Sequence, residues 1–402
     1  MGNAMSDGFS PLVGVRIIEF SSSIAGPAAT MILAQLGADV IKVESPQGDD
    51  ARAWPPHVGD RSVVFRQMNL GKRDIVIDLK QPEGVEVALA LTDSAAVVLQ
   101  TMRPGVAERI GIGAEAVSAR NPDVIYFDMN AFGTGPVGSN MPGYDPMVQA
   151  FTGIMAMTGH DGAPPTRCAP SLIDLGTGQW IAMGVMAAVM AKQRGQSVSS
   201  METALVDTGF NVVSYQASSA LMSGERPPRA GSGNPIAAPY QCFSARDGEL
   251  LLAAPNEKLW RLVVQVLEAP ALLEDPRFAD PVSRSEHRDA LEQALNALFG
   301  QIGVDDWLTR LAAAGVPATR VFGLEQAVVS DIAEERRTFA ESDGVPLVRL
   351  PWLVDGEPLA PSAPAPRFGQ HTHELLEDLG FSEERIAALL TAGVVLSAVD
   401  PD

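Results

Sequence analysis

VRIIEF (Val15–Phe20) is a short apolar, β-branched run, and AGPAATMILAQLGA (Ala25–Ala38) follows it with apolar residues spaced for one face of a helix. Pro27 suits a first helical turn, where a missing N–H costs nothing, and Gly37 suits the turn that ends the helix. DVIKVE (Asp39–Glu44) is the next apolar run. Strand, helix and strand within about 30 residues make a βαβ unit, which predicts a parallel sheet with right-handed crossovers. The alternation continues with a strand at Asp74–Leu79, a helix at Val85–Ala95, a strand at Ala96–Gln100 and, after a short helix, a strand at Asp123–Met129. Helices are then predicted for about Gly178–Gln193 and Glu202–Met222. Residues 1–223 therefore read as the first part of a large α/β domain, open and doubly wound in the Rossmann-like manner.

The pattern breaks at GERPPRAGSGNPIAAP (224–239), where four prolines and three glycines mark a linker. YQCFSARDGELLLAA (Tyr240–Ala254) reads as a hairpin turning at Asp247-Gly248. Helices near Leu259–Leu267, Arg288–Phe299 and Asp305–Ala314 and a strand at Val316–Phe322 complete a smaller α+β domain over 240–330. Residues 331–402 form a second connector, with six prolines from Pro346 to Pro366, and a helical return to the large domain over about His373–Leu390.

Charge narrows the partners. The chain of 402 residues carries a net charge of −20. That balance repels phosphate backbones and anionic lipid heads, so nucleic-acid and membrane-surface partners are not expected. The apolar run Trp180–Ala191 is shorter than the ~20 residues a membrane helix needs and reads as a buried core helix. Met1–Ser10 has no basic flank or apolar signal core, and two cysteines (Cys168, Cys242) cannot build a disulfide framework, so the expected location is the cytoplasm.

Several chemistries lack their signatures. The first turn, SSSIAGPAA, has one glycine where a dinucleotide fingerprint needs three, although Glu44 ends the second strand. The helix start at Ala25–Pro27 still offers unpaired N–H groups to an anion. No H-E-x-x-H and no G-x-S-x-G occur, and His371 and His373 beside a helix start read as capping or solvated groups, so no metal site is expected. Asp174, in SLIDLGTGQW, stands between an apolar approach and Gly176-Thr177-Gly178. It can be a covalent nucleophile with glycine N–H groups stabilising an oxyanion, or it can simply cap the following helix.

From about Pro11 to Leu396 the segments, in order and spacing, resemble the class III CoA-transferases, the family that includes formyl-CoA transferase and the α-methylacyl-CoA racemases. The segments are LVGVRIIEF with AGPAAT, LAQLGADVIKVESPQGDDAR, NLGKRDIVIDLKQPEG, RPGVAERIGIG, NPDVIYFDMNAFGTGP, PGYDPMVQAFTG, IDLGTG, APYQCFSARDGELLLAA and APAPRFGQHTHELLEDLG. The resemblance implies that Asp174 is the nucleophile. It implies CoA transfer from an acyl-CoA donor to a carboxylic acid acceptor through an aspartyl anhydride and an aspartyl-CoA thioester, with CoA as substrate and no tightly bound cofactor. The alternatives are an α-methylacyl-CoA racemase and a silent CoA-binding protein of the same fold. Racemases of this kind carry a histidine where this chain has Tyr144, followed by Asp145; a phenol with a pKa near ~10 is a poor partner for moving an α-proton.

For CoA, the resemblance implies that Ile24 and Ala25 line the pantetheine path, Ile77 and Lys80 flank the adenine with Thr101 and Met102 beside it, and Arg109 meets the phosphates. Arg103 supplies charge where Ser45 replaces an arginine of formyl-CoA transferase, and Asp145 either shapes the thioester pocket or has a purely structural role. Arg52, Arg66 and Arg167 are either partners for a second substrate carboxylate or ordinary surface ion pairs. The resemblance also implies an interlocked homodimer, two subunits threaded like linked rings, with the loop at Gly231–Asn234 closing over the site.

Overall fold

A computed structural model of the chain describes residues 8–359 and 363–398. The remaining parts of the N-terminal start, the second proline-rich connector and the C-terminal return lie outside the described residues. The chain divides into two units. One comprises the residues up to Thr152, Ala169–Ser214 and everything from Glu335; the other comprises Gly153–Cys168 and Tyr215–Glu334.

The first unit is built on a seven-stranded sheet. Its strands are β1 (Arg16–Phe20), β2 (Asp39–Glu44), β3 (Arg73–Ile77), β4 (Val97–Gln100), β5 (Ile125–Asn130), β6 (Ser200–Ala204) and β7 (Val395–Leu396). The order across the sheet is β7-β3-β2-β1-β4-β5-β6. All neighbours are parallel except β7, which runs antiparallel to β3. Because side chains alternate along a strand, Ile18 and Phe20 of β1 enter one core with Ile41, Ile75, Val98 and Tyr126, closed by the helices at Pro82–Thr92, Ala114–Arg120, Thr372–Asp378 and Glu383–Thr391. The opposite face carries α1 (Ala25–Gln35) and the long helix α3 (Leu172–Gln193). There Gly184 of α3 rests on Phe127 of β5, where an added Cβ would be 3.1 Å from the ring. Helices on both faces make the sheet doubly wound. α2 (Asp145–Phe151) packs against α3 and against α4 (Leu205–Val212), which follows β6.

Three sequence expectations change here. The helix expected from Glu202 begins as β6, whose Ser200 and Glu202 are exposed and conceal the strand pattern. The helix expected from Gly178 starts at Leu172, and it is not a fully buried core helix, since Trp180, Met183 and Met190 are near half exposed. It is long and apolar enough to cross a membrane by length and composition; packing against the sheet and α1 accounts for the apolar residues of its buried face only. The C-terminal helix is two helices, separated at Gly380, whose φ is +81°.

In the second unit, strands Tyr240–Ala245, Gly248–Ala253 and Ala318–Arg320 form an antiparallel sheet covered by the helices at Glu257–Val266, Arg288–Phe299 and Val304–Ala313. Its centre is Trp260, Phe243, Phe299 and Trp307, with the Trp307 indole N–H donating to the Phe299 carbonyl at 2.7 Å. Residues 153–168, read from the sequence as large-domain chain, belong with this unit, and so does the 224–239 linker. The reason is Arg229, whose guanidinium donates to the carbonyls of Met155, Ala156 and Ala163, while Gly231 N–H donates to Gly159.

Candidate active site

A sheet ordered β3-β2-β1-β4-β5 has its topological switch between β1 and β4, so a crevice opens at the carboxyl ends of those strands. The segments leaving them, Ser22–Ala25 and Thr101–Pro104, line a cavity of about 240 Å³ together with Met129–Ala131, Met141–Tyr144, Leu205 and Asp174. A second cavity of about 240 Å³ shares Ser22, Asp50, Thr101 and Met102 with the first and reaches Glu44, Ser45 and Leu79. A third, about 770 Å³, shares Ser45, Leu79 and Met102 with the second and adds Lys80, Gln81 and Arg109. Shared walls make the three one track across the ends of β3, β2, β1 and β4.

Asp174 does not precede its helix; it is the third residue of α3. Gly176, Thr177 and Gly178 are inside the helix, where their N–H groups are used by the helical ladder, so they cannot be the oxyanion donors the sequence suggested. The glycines serve packing instead. A Cβ at Gly178 would lie 2.9 Å from the Ala25 carbonyl oxygen and 3.0 Å from the Ala28 Cβ, and one at Gly176 would lie 3.0 Å from the Thr208 methyl. Residues four apart share a helix face, so the contact at Gly178 brings Asp174 beside the start of α1. There Ile24 provides no side-chain cap, and helix geometry leaves the Ala25 and Gly26 N–H groups without intrahelical acceptors.

Asp145 is buried and is not among the lining residues of the cavity, which favours the structural alternative over the pocket one. Its carboxylate accepts the Ile173 N–H at 2.7 Å and the Asp174 N–H at 3.2 Å, and the Gln149 amide at 2.6 Å. It thereby satisfies orphan donors at the start of α3. Burial, and then the like charge of Asp145, push the Asp174 carboxyl up to about 7. Such a value, in a cavity, is one a reactive group can use near neutral pH.

The structure brings together Ile24, Ala25, Thr101, Met102, Arg103, Tyr144 and Asp174 in the first cavity, and Lys80, Met102 and Arg109 in the third. Ile77 is not among the lining residues: it is fully buried in the sheet core, where it pairs with Val395 of β7, and Leu79 takes the wall position two residues on. Arg52 is committed to Glu44 at 2.6 Å and stacks 3.7 Å from the centre of the Phe65 ring, and Arg66 donates to the Asp343 carbonyl at 3.2 Å. His373 is exposed and lies within 3.5 Å of Glu377 and 3.2 Å of Glu383, the solvated alternative rather than a helix cap.

Sequence reading missed a buried ion cluster under the first turn. Glu19 of β1 and Lys42 of β2 are register partners on the α1 side of the sheet. Asp49 and Lys72 complete the cluster, with all four side chains at 0–1% exposure. Burial alone raises Glu19, but Lys42 and Lys72 outweigh it and hold its carboxyl at about 2; burial, only partly offset by Glu19, brings Lys72 down to about 8. The signal was present, since VRIIEF and DVIKVE each place a charge within a run of buried strand residues.

Residues 12–372 match the model of CoA-transferase family III. The chain is 33% identical to a succinate–glutarate CoA-transferase of Agrobacterium fabrum, over 92% of this chain and 96% of the relative. It is 33% identical to an acetyl-CoA:oxalate CoA-transferase of Acetobacter aceti, over 86% and 90%. Among solved structures it is similar to a CAIB/BAIF family protein from Brucella suis, with a TM-score of 0.82 and 32% identity over 92% of this chain and 99% of that one. It is also similar to Rv3272 from M. tuberculosis, with a TM-score of 0.83 and 29% identity over 91% and 99%.

Proposed function

The chain belongs to CoA-transferase family III, and from that premise we propose that it moves CoA from an acyl-CoA donor to a small carboxylic acid through covalent intermediates on Asp174. The observation that carries the reading is the place of the Asp174 carboxyl, facing the cavity at the β1–β4 switch from which the track leads to Lys80 and Arg109. CoA lies along that track, its phosphates near the two cations and its thioester at Asp174.

The Asp174 carboxylate attacks the donor thioester carbonyl, the C–S bond breaks, and a mixed anhydride and CoA thiolate form. The thiolate attacks the aspartyl carbonyl, the donor acid leaves as its carboxylate, and an aspartyl-CoA thioester remains. The acceptor carboxylate attacks that thioester and releases thiolate again. The thiolate then takes the acceptor acyl group from the second anhydride and restores the Asp174 carboxylate. Each step conserves the thioester's free energy provided water is excluded. The Ala25 N–H group, on the cavity wall at the α1 start, is a donor for the oxyanions.

Tyr144, beside Asp174 in the cavity, favours transfer over racemisation, because a phenol is a weak base near neutrality. The working unit is an interlocked homodimer, a reading supported by Trp180, Met183 and Met190, which leave an apolar stripe of α3 open for a second copy; its mass in solution tests that. The names of the relatives suggest the first donor and acceptor pairs: succinyl-CoA with glutarate and acetyl-CoA with oxalate. Mass spectrometry should find acyl-CoA-dependent, hydroxylamine-sensitive modification on the Asp174 peptide. Asp174→Ala should abolish turnover while keeping CoA binding and the fold. Retained transfer by Asp174→Ala would reject the nucleophile, and α-deuterium wash-in without CoA exchange would favour a racemase.

A further inference from the structure

We infer that the buried cluster of Glu19, Lys42, Asp49 and Lys72 is a positioning element that sets the Ser21–Ala25 wall of the cavity for transfer; the inference rests on the CoA-transferase reading above. Four hydrogen bonds of the turn after β1 and the helix start that follows it end on these side chains. Lys42 Nζ donates to the Ser21 carbonyl at 2.8 Å and lies 3.3 Å from Glu19 and 2.9 Å from Asp49. The Ser21 hydroxyl donates to Glu19 at 2.6 Å. Asp49 accepts the Ser23 N–H at 2.9 Å, and Lys72 Nζ donates to the Pro27 carbonyl at 3.0 Å while pairing with Glu19 at 2.8 Å.

Two features argue for geometry rather than stability. A buried ion cluster is a poor stabiliser, because desolvation cancels much of its attraction and apolar replacements are often as stable. And Ser23 sits at φ +71°, a left-handed conformation that a serine keeps only when its surroundings hold it. The Asp49 bond to its N–H is such a hold. The turn also has no slack: a Cβ at Gly26 would be 2.5 Å from the Ser21 hydroxyl and 2.8 Å from the Thr101 methyl, so a shift at Ser21 reaches both sides of the cavity. Ser22, Ser23, Ile24 and Ala25, all within this restrained segment, line the cavity in which the proposed thioester would react.

The test compares Asp49→Ala, which removes both charge and acceptor, with Asp49→Asn, which keeps an oxygen for Ser23 N–H. Val117→Ala, a core truncation under the sheet, controls for lost stability. Asp49→Ala should speed amide exchange over Ser22–Gly26 and lower kcat/KM for acyl-CoA by about tenfold to a hundredfold at equal folded fraction. Asp49→Asn should recover most of the loss, and Val117→Ala should keep kcat/KM. If Asp49→Ala stays within about twofold of the wild type, or Val117→Ala loses as much, the positioning role is overturned. Unchanged amide exchange in Asp49→Ala overturns the hold on the turn whatever the activity. A wild-type chain that moves CoA from no donor overturns the transferase reading instead.

Discussion

Asp174 must be ionised to attack a thioester, and its carboxyl is held at about 7 by burial and then by Asp145. On that basis the carboxylate is about half the population at pH 7, about a tenth at pH 6 and about a hundredth at pH 5. The release of the donor carboxylate from a first acyl-CoA, followed by rapid mixing without acceptor, should therefore rise about tenfold per pH unit up to pH 7 and then level off. Asp145→Asn separates the two causes. Its amide oxygen still accepts the Ile173 and Asp174 N–H groups, but the like charge is gone while the burial stays. The midpoint should move down yet remain above the usual 3.8. The same proton has a stability signature. The folded chain holds it more tightly than the unfolded chain, so this contribution is complete below 3.8 and is lost as pH rises through about 7. Asp174→Asn cannot ionise and escapes that loss, so its melting temperature relative to wild type should be higher at pH 8 than at pH 5. A rate that is flat from pH 5 to pH 8, unchanged by Asp145→Asn, would refute the reasoning.

Two further outcomes follow from packing. Gly178→Ala places a methyl against backbone at Ala25, which cannot yield as a flexible side chain would, and should cost about 1–3 kcal/mol in chemical denaturation together with a loss of transfer rate. Ile77→Ala should cost about 2–5 kcal/mol of stability and leave the KM for acyl-CoA unchanged, whereas Leu79→Ala, at a position only partly buried against the same core, should raise that KM at a smaller cost in stability.

How much could be read in advance depended on whether the signal was local. Asp39–Glu44 and Arg288–Phe299 match their sequence-based bounds to the residue, because each carries its own periodicity. Edge strand β6 was hidden because only Ala204 of its five residues is buried. The start of α3 was hidden because Gly176 and Gly178 read as a loop. Their helix-breaking tendency is modest, about 1 kcal/mol each, and is overridden where a Cβ would collide with α1 or α4. Asp174 itself was singled out through a motif. Its partner Asp145 lies 29 residues away, and no spacing rule joins them. Ile77 and Leu79 show the same limit in reverse: strand alternation puts both on one face, but only the fold shows that the sheet ends between them.

The opposed influences on Asp174 can be ranked. A helix N-terminus stabilises a nearby carboxylate by about 0.3–1 kcal/mol. A tenfold change in proton affinity is about 1.4 kcal/mol. The helix end alone therefore cannot hold Asp174 in the ordinary carboxylate range once burial acts against it. Asp145 weakens that end further, because it takes the Ile173 and Asp174 N–H groups that a carboxylate in the first turn would otherwise use. A carboxylate deprived of those donors is harder to ionise and, once ionised, has its charge less engaged and more available to a thioester carbonyl. The raised pKa and the proposed reactivity thus follow from one arrangement. A variant that gave Asp174 its helix N–H groups back would lower both together.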